Sequence, residues 1–122
     1  MVRTVFLAVW LVSSATGAAY ACPLESLDRE AIIKAITDAP TCRASFEILS
    51  ACRYNAGGDI ELASIVTERC EKTFLSTLKP DRKRAYQRAQ QACARKYMNK
   101  QGTMYASAQA ICAAEAAVRL AK

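Results

Sequence analysis

Apolar residues recur every three or four positions along most of the chain from residue 27 onward, and proline or glycine interrupts the pattern at intervals. Apolar residues with this spacing line one face of an α-helix, whereas a half-buried strand requires alternation of apolar and polar residues. No segment alternates for long enough to predict a strand. The pattern therefore predicts an all-α fold, a small bundle of four to five short antiparallel helices.

Prolines and glycines place the predicted helix ends. Pro40 and Pro80 interrupt helices because proline lacks a backbone N–H, and Gly57-Gly58 and Gly102 suit the left-handed turn that ends one. Short polar residues, which cap free backbone N–H groups, precede most of the segments. The predicted helices run from a cap at Ser26 or Asp28 to about Ala39, from a cap at Thr41 through Cys42 to about Ala56, from a cap at Asp59 through Ile60 to Leu78, from Arg82 to Lys100, and onward from a cap at Thr103.

Each predicted helix carries one apolar stripe that is expected to face the core. Cys93 and Cys112 both lie on such a stripe, so their sulfur atoms should point inward. The predicted inner positions are Leu27, Ala31 and Ala35 in the first helix, Cys42, Phe46, Leu49 and Cys52 or Arg53 in the second, Ile60, Ala63, Val66, Cys70, Phe74 and Leu78 in the third, Tyr86, Ala89, Cys93 and Tyr97 in the fourth, and Met104, Ala108, Ile111 and Cys112 in the fifth.

The beginning of the chain has a different pattern. Arg3 is followed by an apolar run from Val5 to Val12 and then by small residues that end in Ala19-Tyr20-Ala21. This is the layout of a secretory signal peptide with an A-x-A cleavage site, whereas a membrane anchor needs about 20 apolar residues. We expect residues 1–21 to be removed, and residues 22–122 to form one periplasmic or secreted domain without a transmembrane helix.

All six cysteines lie after the predicted cleavage site, and an even number in a small exported domain predicts three disulfides. A lipid-bearing cysteine directly after the cleavage site is the alternative for Cys22, but the bulky Tyr20 favours ordinary cleavage. Zinc sites place cysteine pairs two to four residues apart, and the closest pair here is ten apart, so no metal is expected. The predicted disulfide cysteines are Cys22, Cys42, Cys52, Cys70, Cys93 and Cys112.

The last two cysteines flank a turn. Cys93 is nine residues before Gly102 and Cys112 is ten residues after it. Antiparallel helices that rise about 1.5 Å per residue would bring the two cysteines to nearly equal height. This spacing predicts a bridge between them across the final hairpin, with a bridge from Cys70 to either one as the competing possibility.

The other two pairings are less constrained by spacing. Cys42 lies about 15 residues before the Gly57-Gly58 turn and Cys70 about 12 after it, a mismatch of nearly one helical turn that a tilt would absorb. Cys22 would then pair with Cys52. Six cysteines permit 15 connectivities, so other pairings stay open at this point.

Charge divides the chain after residue 21 into two unlike parts. Residues 22–78 carry six basic and nine acidic side chains, whereas residues 79–122 carry ten basic and two acidic. A basic segment of this kind favours an anionic partner, which for an exported protein would be anionic lipid headgroups, a cell-wall polymer or an acidic protein. A solvated helix face is the alternative, because positions 82, 88, 95 and 96 do not form one tight stripe. The candidate anion-binding residues are Arg82, Lys83, Arg84, Arg88, Arg95, Lys96 and Lys100.

The chain contains no histidine, which excludes Ser-His-Asp and Cys-His catalysis and the H-E-x-x-H zinc site. We therefore expect a non-enzymatic protein without a cofactor, which binds an anionic envelope polymer or a protein. The exported compartment disfavours nucleic acid as partner, and the alanine-rich side of the fourth helix disfavours its insertion into a membrane. Glu115 is expected to pair with Arg119 one turn later.

Four short sequence segments of the C-terminal half occur in the same order as in a known protein family. They are Leu78-Lys79-Pro80, Arg88-Ala89-Gln90-Gln91-Ala92, Gly102-Thr103-Met104, and Cys112 followed by Arg119-Leu120. In this arrangement the stretch 74–120 resembles the LprI-type lysozyme inhibitors, which are small, exported, helical bacterial domains with cysteines. The resemblance implies a helical fold and, as an alternative function, inhibition of a cell-wall hydrolase. It carries over no inhibitory residue.

Overall fold

A computed structural model describes residues 21–121, which form five α-helices and, within that range, no strand. The all-α prediction is confirmed. The predicted signal peptide lies outside the described residues, except for Ala21. The helices are α1 (Arg29–Asp38), α2 (Cys42–Cys52), α3 (Asp59–Phe74), α4 (Pro80–Tyr97) and α5 (Thr103–Leu120).

Successive helices reverse direction, so α1, α3 and α5 all begin at the end of the bundle where α2 and α4 finish. We term this the upper end. The helices α1, α2 and α3 pack on one another, and α5 packs on α2, α3 and α4. Among the described helices, α4 packs along α5 and reaches α3 through the side chain of Tyr86. The largest fully buried apolar side chains are Ile32, Ile36, Leu49, Leu62 and Val66, all from α1, α2 and α3.

The predicted apolar stripes are correct in the middle of most helices and wrong near several helix starts. Leu27, Ile60 and Met104 are exposed, although each was expected to face the core. Leu27 precedes the first turn of α1, and the predicted stripe of that helix is displaced by one residue, because Ile32 and Ile36 are buried whereas Ala31 and Ala35 are half-buried. On the fourth helix Ala89 is also exposed, because a helix that packs against one neighbour buries a narrow stripe.

Two of the predicted caps are confirmed. The carboxylate of Asp28 accepts the backbone N–H of Ala31 at 2.9 Å, and the hydroxyl of Thr41 accepts that of Ala44 at 3.0 Å. Thr103 was expected to cap α5, but it is the first residue of the helix, and Gly102 precedes it with a φ of 116°. Glycine alone adopts that φ without steric cost, so Gly102 makes the sharp turn between the last two helices.

Several helices end earlier than predicted. The second helix stops at Cys52 instead of Ala56, and Asn55, with a φ of 57°, is the left-handed residue that was expected at Gly57-Gly58. Asparagine tolerates this conformation better than most residues because its short polar side chain bonds locally. The third helix stops at Phe74 instead of Leu78, and the fourth occupies Pro80–Tyr97 instead of residues 82–100.

The three disulfides join the pairs that the spacing favoured. Cys93 and Cys112 are bridged with their Cα atoms 5.7 Å apart, and Cys42 and Cys70 with theirs 5.0 Å apart. The third bridge joins Cys22 to Cys52, with a Cα–Cα distance of 4.9 Å. It fixes the segment before α1 to the upper end and occupies the sulfur atom that a thioether-linked lipid would need.

Asp59 was predicted to cap α3 from outside, but it is the first residue of that helix and has no exposed surface. Its carboxylate accepts the backbone N–H groups of Tyr54 at 2.8 Å and Ala56 at 3.2 Å, and the hydroxyl of Ser107 at 2.6 Å. A buried carboxylate needs such donors because its desolvation is costly. Asp59 therefore fastens the turn after α2 and the first turns of α5 to the start of α3.

Arg69 makes the corresponding contact at the opposite end. Its guanidinium donates to the backbone carbonyl of Ile36 at 3.0 Å and to those of Thr37 and Ala39. The last carbonyl groups of a helix have no partner within it, and a cation there is also favoured by the helix dipole. Arg69, on α3, thus supplies hydrogen-bond donors to the carbonyl groups at the end of α1.

Candidate anion-binding surface

The fourth helix packs along α5 but buries few of its own side chains. Tyr86 and Cys93 are its buried residues, and Cys93 carries the bridge to α5. The side chain of Gln90 adds a hydrogen bond of 3.0 Å to the carbonyl oxygen of Ala113. Most of the circumference of α4 therefore faces solvent.

Tyr86 provides the contact between α4 and α3. Its ring packs edge-on against Phe74 with centroids 5.3 Å apart, and its hydroxyl donates to Glu71 Oε1 at 2.6 Å. Burial and the neighbouring Glu71 carboxylate raise the pKa of Tyr86 above its ordinary value. Glu71 thereby helps to hold the Tyr86 side chain, and with it α4, against α3.

The outward face of α4 carries three arginines in line. At about 100° per residue, Arg84, Arg88 and Arg95 fall within about 40° of one another on the helix. This stripe lies about 180° from Tyr86 and Cys93, the two side chains that face the bundle. All three arginines are exposed, and their Cα atoms are about 6 Å and about 10 Å apart along the axis. We term these three residues the arginine stripe.

The remaining four candidate residues lie elsewhere on the hairpin. Arg82 borders α5, Lys83 faces the side of α3, and Lys96 lies near the 93–112 bridge. Lys96 is 5.4 Å from the ring centre of Tyr97, and Lys100, beyond the helix end, is 5.2 Å from that of Tyr105. The seven predicted residues are therefore one stripe and four flanking cations, and they do not form a single patch.

The sequence interpretation missed the arginine stripe because it compared positions 82, 88, 95 and 96. The spacing of Arg84, Arg88 and Arg95, four and then seven residues, places side chains on one helix face. That spacing was available in the sequence. What the sequence did not establish was which face of α4 points outward, since this depends on Tyr86 and Cys93 being the buried pair.

The positive charge of α4 has no acidic partner in the described part of the chain. Ion pairs between residues 21 and 121 join Arg29 to two glutamates, Lys34 to Asp38, and Arg119 to Glu115, as predicted for the last pair. None of them involves the seven candidate residues. Residues 82–114 contain seven basic side chains and no carboxylate. Asp81, in the first turn of α4, lies about 20° from Arg88 around the axis, so the outer face of α4 presents three arginines and one carboxylate, a net positive charge, to solvent.

A second surface feature is an open groove of about 540 Å³ between α3 and α4. It combines a carboxylate, an ammonium group and three side-chain amides, so its hydrogen-bonding groups carry no net charge. The groove therefore favours no ion of either sign, and the arginine stripe is the stronger candidate site. The groove is lined by Glu71, Leu75, Lys83, Tyr86, Gln87, Gln90 and Gln91.

The length and the apolar character of the described helices decide whether one of them could cross a membrane. No helix between residues 21 and 121 combines the length and the apolar character that crossing a bilayer requires.

No protein-family model, curated protein or solved structure matches the chain. The resemblance to the LprI-type inhibitors therefore stays a prediction that depends on the four sequence segments.

Proposed function

We propose that this protein is an exported, non-enzymatic binding module of the bacterial envelope, and that it holds an anionic polymer or protein against the outer face of α4. The observation that carries the proposal is the arginine stripe, three aligned and exposed guanidinium groups without an acidic partner among the described residues. A guanidinium group donates two parallel hydrogen bonds to a carboxylate or a phosphate, which makes arginine suited to such partners.

The charges on α4 are unfavourable for the free protein. Arg84 and Arg88 are one turn apart, and like charges at this spacing destabilise a helix by about 0.2–0.5 kcal/mol per pair. The cost is borne by a helix that buries two side chains and depends on a disulfide. An anion bound to the stripe would remove the repulsion, which supports a binding role over a merely solubilising one.

The disulfides support the proposed compartment. Three bridges use all six cysteines, and disulfides persist in oxidising environments such as the bacterial periplasm and the cell exterior. This agrees with the secretory leader predicted for residues 1–21. A periplasmic or secreted location would give the stripe access to wall polymers and acidic envelope proteins.

Retention on immobilised polyphosphate tests the proposal. We expect the protein to be retained at low salt and released as ionic strength rises, because exposed charges are screened within about 10 Å at 0.1 M salt. The triple variant Arg84→Gln, Arg88→Gln, Arg95→Gln should bind polyphosphate at least about tenfold more weakly. Aligned charges raise the association rate of an oppositely charged partner by at least this factor.

A matched control removes the same charge elsewhere. Arg43, Arg53 and Lys72 are exposed and make no ion pair within residues 21–121, so Arg43→Gln, Arg53→Gln, Lys72→Gln changes the net charge equally. We expect this control to stay within about twofold of the wild type. Equal losses in both triple variants would overturn the proposed site. Adding the protein to a muramidase assay tests the alternative, hydrolase inhibition, which would appear as lost muramidase activity.

A further inference from the structure

The large exposed apolar side chains of the described chain all lie at the upper end of the bundle. They come from the segment before α1, the turn after α2, the start of α3, and the two sides of the α4–α5 turn. The contact of Tyr54 with the carbonyl of Leu27 and that of Ser107 with Asp59 connect these segments. The exposed residues are Leu27 (53%), Tyr54 (39%), Ile60 (47%), Met98 (69%) and Met104 (55%).

The two most exposed of these residues flank the turn between α4 and α5. Met98 follows the last residue of α4 and Met104 is the second residue of α5, with Gly102 between them. Tyr97 and Tyr105 lie beside them and are partly exposed. We term residues 97–105 the hairpin tip. Tyrosine and lysine have apolar bodies with polar ends, and such residues are favoured where a protein meets the surface of a membrane.

The hairpin tip is continuous with the arginine stripe. Met98 retains helical backbone angles, with a φ of −57° and a ψ of −31°, so its direction follows from the helix geometry. It lies about 60° around the axis from the centre of the stripe. One side of the hairpin therefore presents three arginines along its length and an apolar side chain at its end.

Charge selects the part of the upper end that an anionic surface would contact. Asp28, Glu30 and Glu61 lie at the starts of α1 and α3, and they would be repelled by such a surface. The hairpin tip has Lys100 and no carboxylate, and Lys96 precedes it. The α4–α5 corner is therefore complementary to an anionic surface, whereas the α1–α3 corner is not.

The shape of the tip favours a lipid surface over a protein partner. A side chain placed at Gly102 would meet no atom within 4 Å, so the crest of the turn is open to solvent, whereas Thr103 directly after it lies close to Gly57. A turn of nine residues buries little of the roughly 800 Å² per partner that a stable protein interface needs. A bilayer surface requires no matching cavity, and it accepts flexible apolar side chains beneath its charged headgroups.

We propose that the hairpin tip enters the headgroup region of an anionic lipid bilayer end-on, with Met98 and Met104 reaching the acyl boundary and Arg95, the arginine of the stripe nearest the tip, contacting lipid phosphates. This inference deepens the proposed function, on which it rests, by making lipid phosphate the anion. It requires no membrane-spanning segment, because only the tip of the hairpin is inserted.

Vesicle co-sedimentation tests the inference. We expect binding to vesicles of phosphatidylglycerol and phosphatidylcholine in equal parts, and none to phosphatidylcholine alone. Met98→Gln, Met104→Gln should lower vesicle affinity at least about tenfold, because each loses an apolar side chain from the acyl boundary. The matched control is Leu27→Gln, Ile60→Gln, which removes two exposed apolar side chains from the opposite corner and should bind as the wild type does.

Polyphosphate retention separates the two proposals. The Met98→Gln, Met104→Gln variant should be retained like the wild type, because its cations are intact. Stripe-dependent retention without vesicle binding would overturn the lipid inference and leave the proposed function standing. Vesicle binding that is unchanged in the methionine variant, or equally reduced in the leucine–isoleucine control, would also overturn it. Failure to bind either polyphosphate or vesicles would overturn both.

A fluorescent reporter gives a second readout of insertion. Trp10 is the only tryptophan of the chain and belongs to the predicted signal peptide, so the exported domain would have none. Met98→Trp should shift its emission to shorter wavelength on anionic vesicles, while Leu27→Trp should not. A shift of equal size in both variants, or in neither, would contradict insertion of the tip.

Discussion

Removal of the bridge between Cys93 and Cys112 should release α4 from the bundle before the rest of the protein unfolds. Cys93 carries this bridge, and Tyr86 is the only other buried side chain of α4. The double variant Cys93→Ala, Cys112→Ala removes the bond without leaving a free thiol that could mispair. The helices α1, α2 and α3 keep their own contacts and the other two bridges.

The expected size of the effect follows from the loop that the bridge closes. The two cysteines are 19 residues apart in sequence. Closing a loop of this length removes unfolded-state entropy equivalent to about 3 kcal/mol of stability. A domain of about 100 residues loses about 4–8 °C in Tm per kcal/mol. The double variant should therefore melt at least about 10 °C below the wild type.

Two measurements together check this expectation. Thermal unfolding followed by circular dichroism gives the Tm, and we expect nearly unchanged helix content at low temperature because Tyr86 still packs against Phe74. Hydrogen exchange with mass spectrometry gives local stability, and amides of α4 should exchange faster than those of α3. In the wild type the exchange rates of α3 and α4 should differ less than in the double variant.

The bridge between Cys22 and Cys52 provides the control. It closes a loop of similar length, with a sequence separation of 30 residues, but it lies away from α4. Its removal should lower the Tm comparably and leave α4 protected from exchange. Equal protection of α4 in both double variants, or a Tm change below about 3 °C in the Cys93→Ala, Cys112→Ala variant, would refute the reasoning.

Three further predictions concern buried polar contacts. Asp59→Ala should lower the free energy of unfolding in urea by about 3 kcal/mol, because Ser107 and two backbone N–H groups lose their acceptor, whereas a loss below about 1 kcal/mol would contradict this role. Arg69→Met should lower it by about 2 kcal/mol and speed exchange in the last turn of α1, and unchanged exchange there would count against the capping contact. Tyr86 has a pKa raised above the unfolded value of 10.0, so its contribution to stability is complete below that pH and is lost as pH rises further. The wild type should therefore lose more stability between pH 9 and about 11 than Tyr86→Phe, and parallel losses would show that Tyr86 is not responsible.

Much of the fold was predictable from local features of the sequence. The spacing of apolar residues located five helices, and the nearly equal distances of Cys93 and Cys112 from Gly102 predicted their bridge. These predictions hold because the position of the turn in a short helical hairpin largely fixes how its two helices pack. Counting around the turn at Gly57-Gly58 gave the bridge between Cys42 and Cys70 only with a mismatch of nearly one helical turn, and the pairing of Cys22 with Cys52 was what remained.

What the sequence could not predict depends on contacts between distant residues. Asp59 has the local appearance of a helix cap, and its burial requires Ser107, which is 48 residues away. Once Asp59 occupies the inward position, Ile60 is turned outward, and this adds one apolar residue to the upper end. The direction of the arginine stripe likewise depends on the packing of Tyr86 against α3.

The most direct measurement of the central claim is a titration of isotope-labelled protein with polyphosphate, followed by nuclear magnetic resonance of the backbone amides and arginine side chains. We predict that the largest shift changes occur at Arg84, Arg88, Arg95 and the amides between them, and that they disappear at high salt. Changes centred on Arg43, Arg53 and Lys72, or spread evenly over all exposed cations, would contradict the assignment of binding to the outer face of α4.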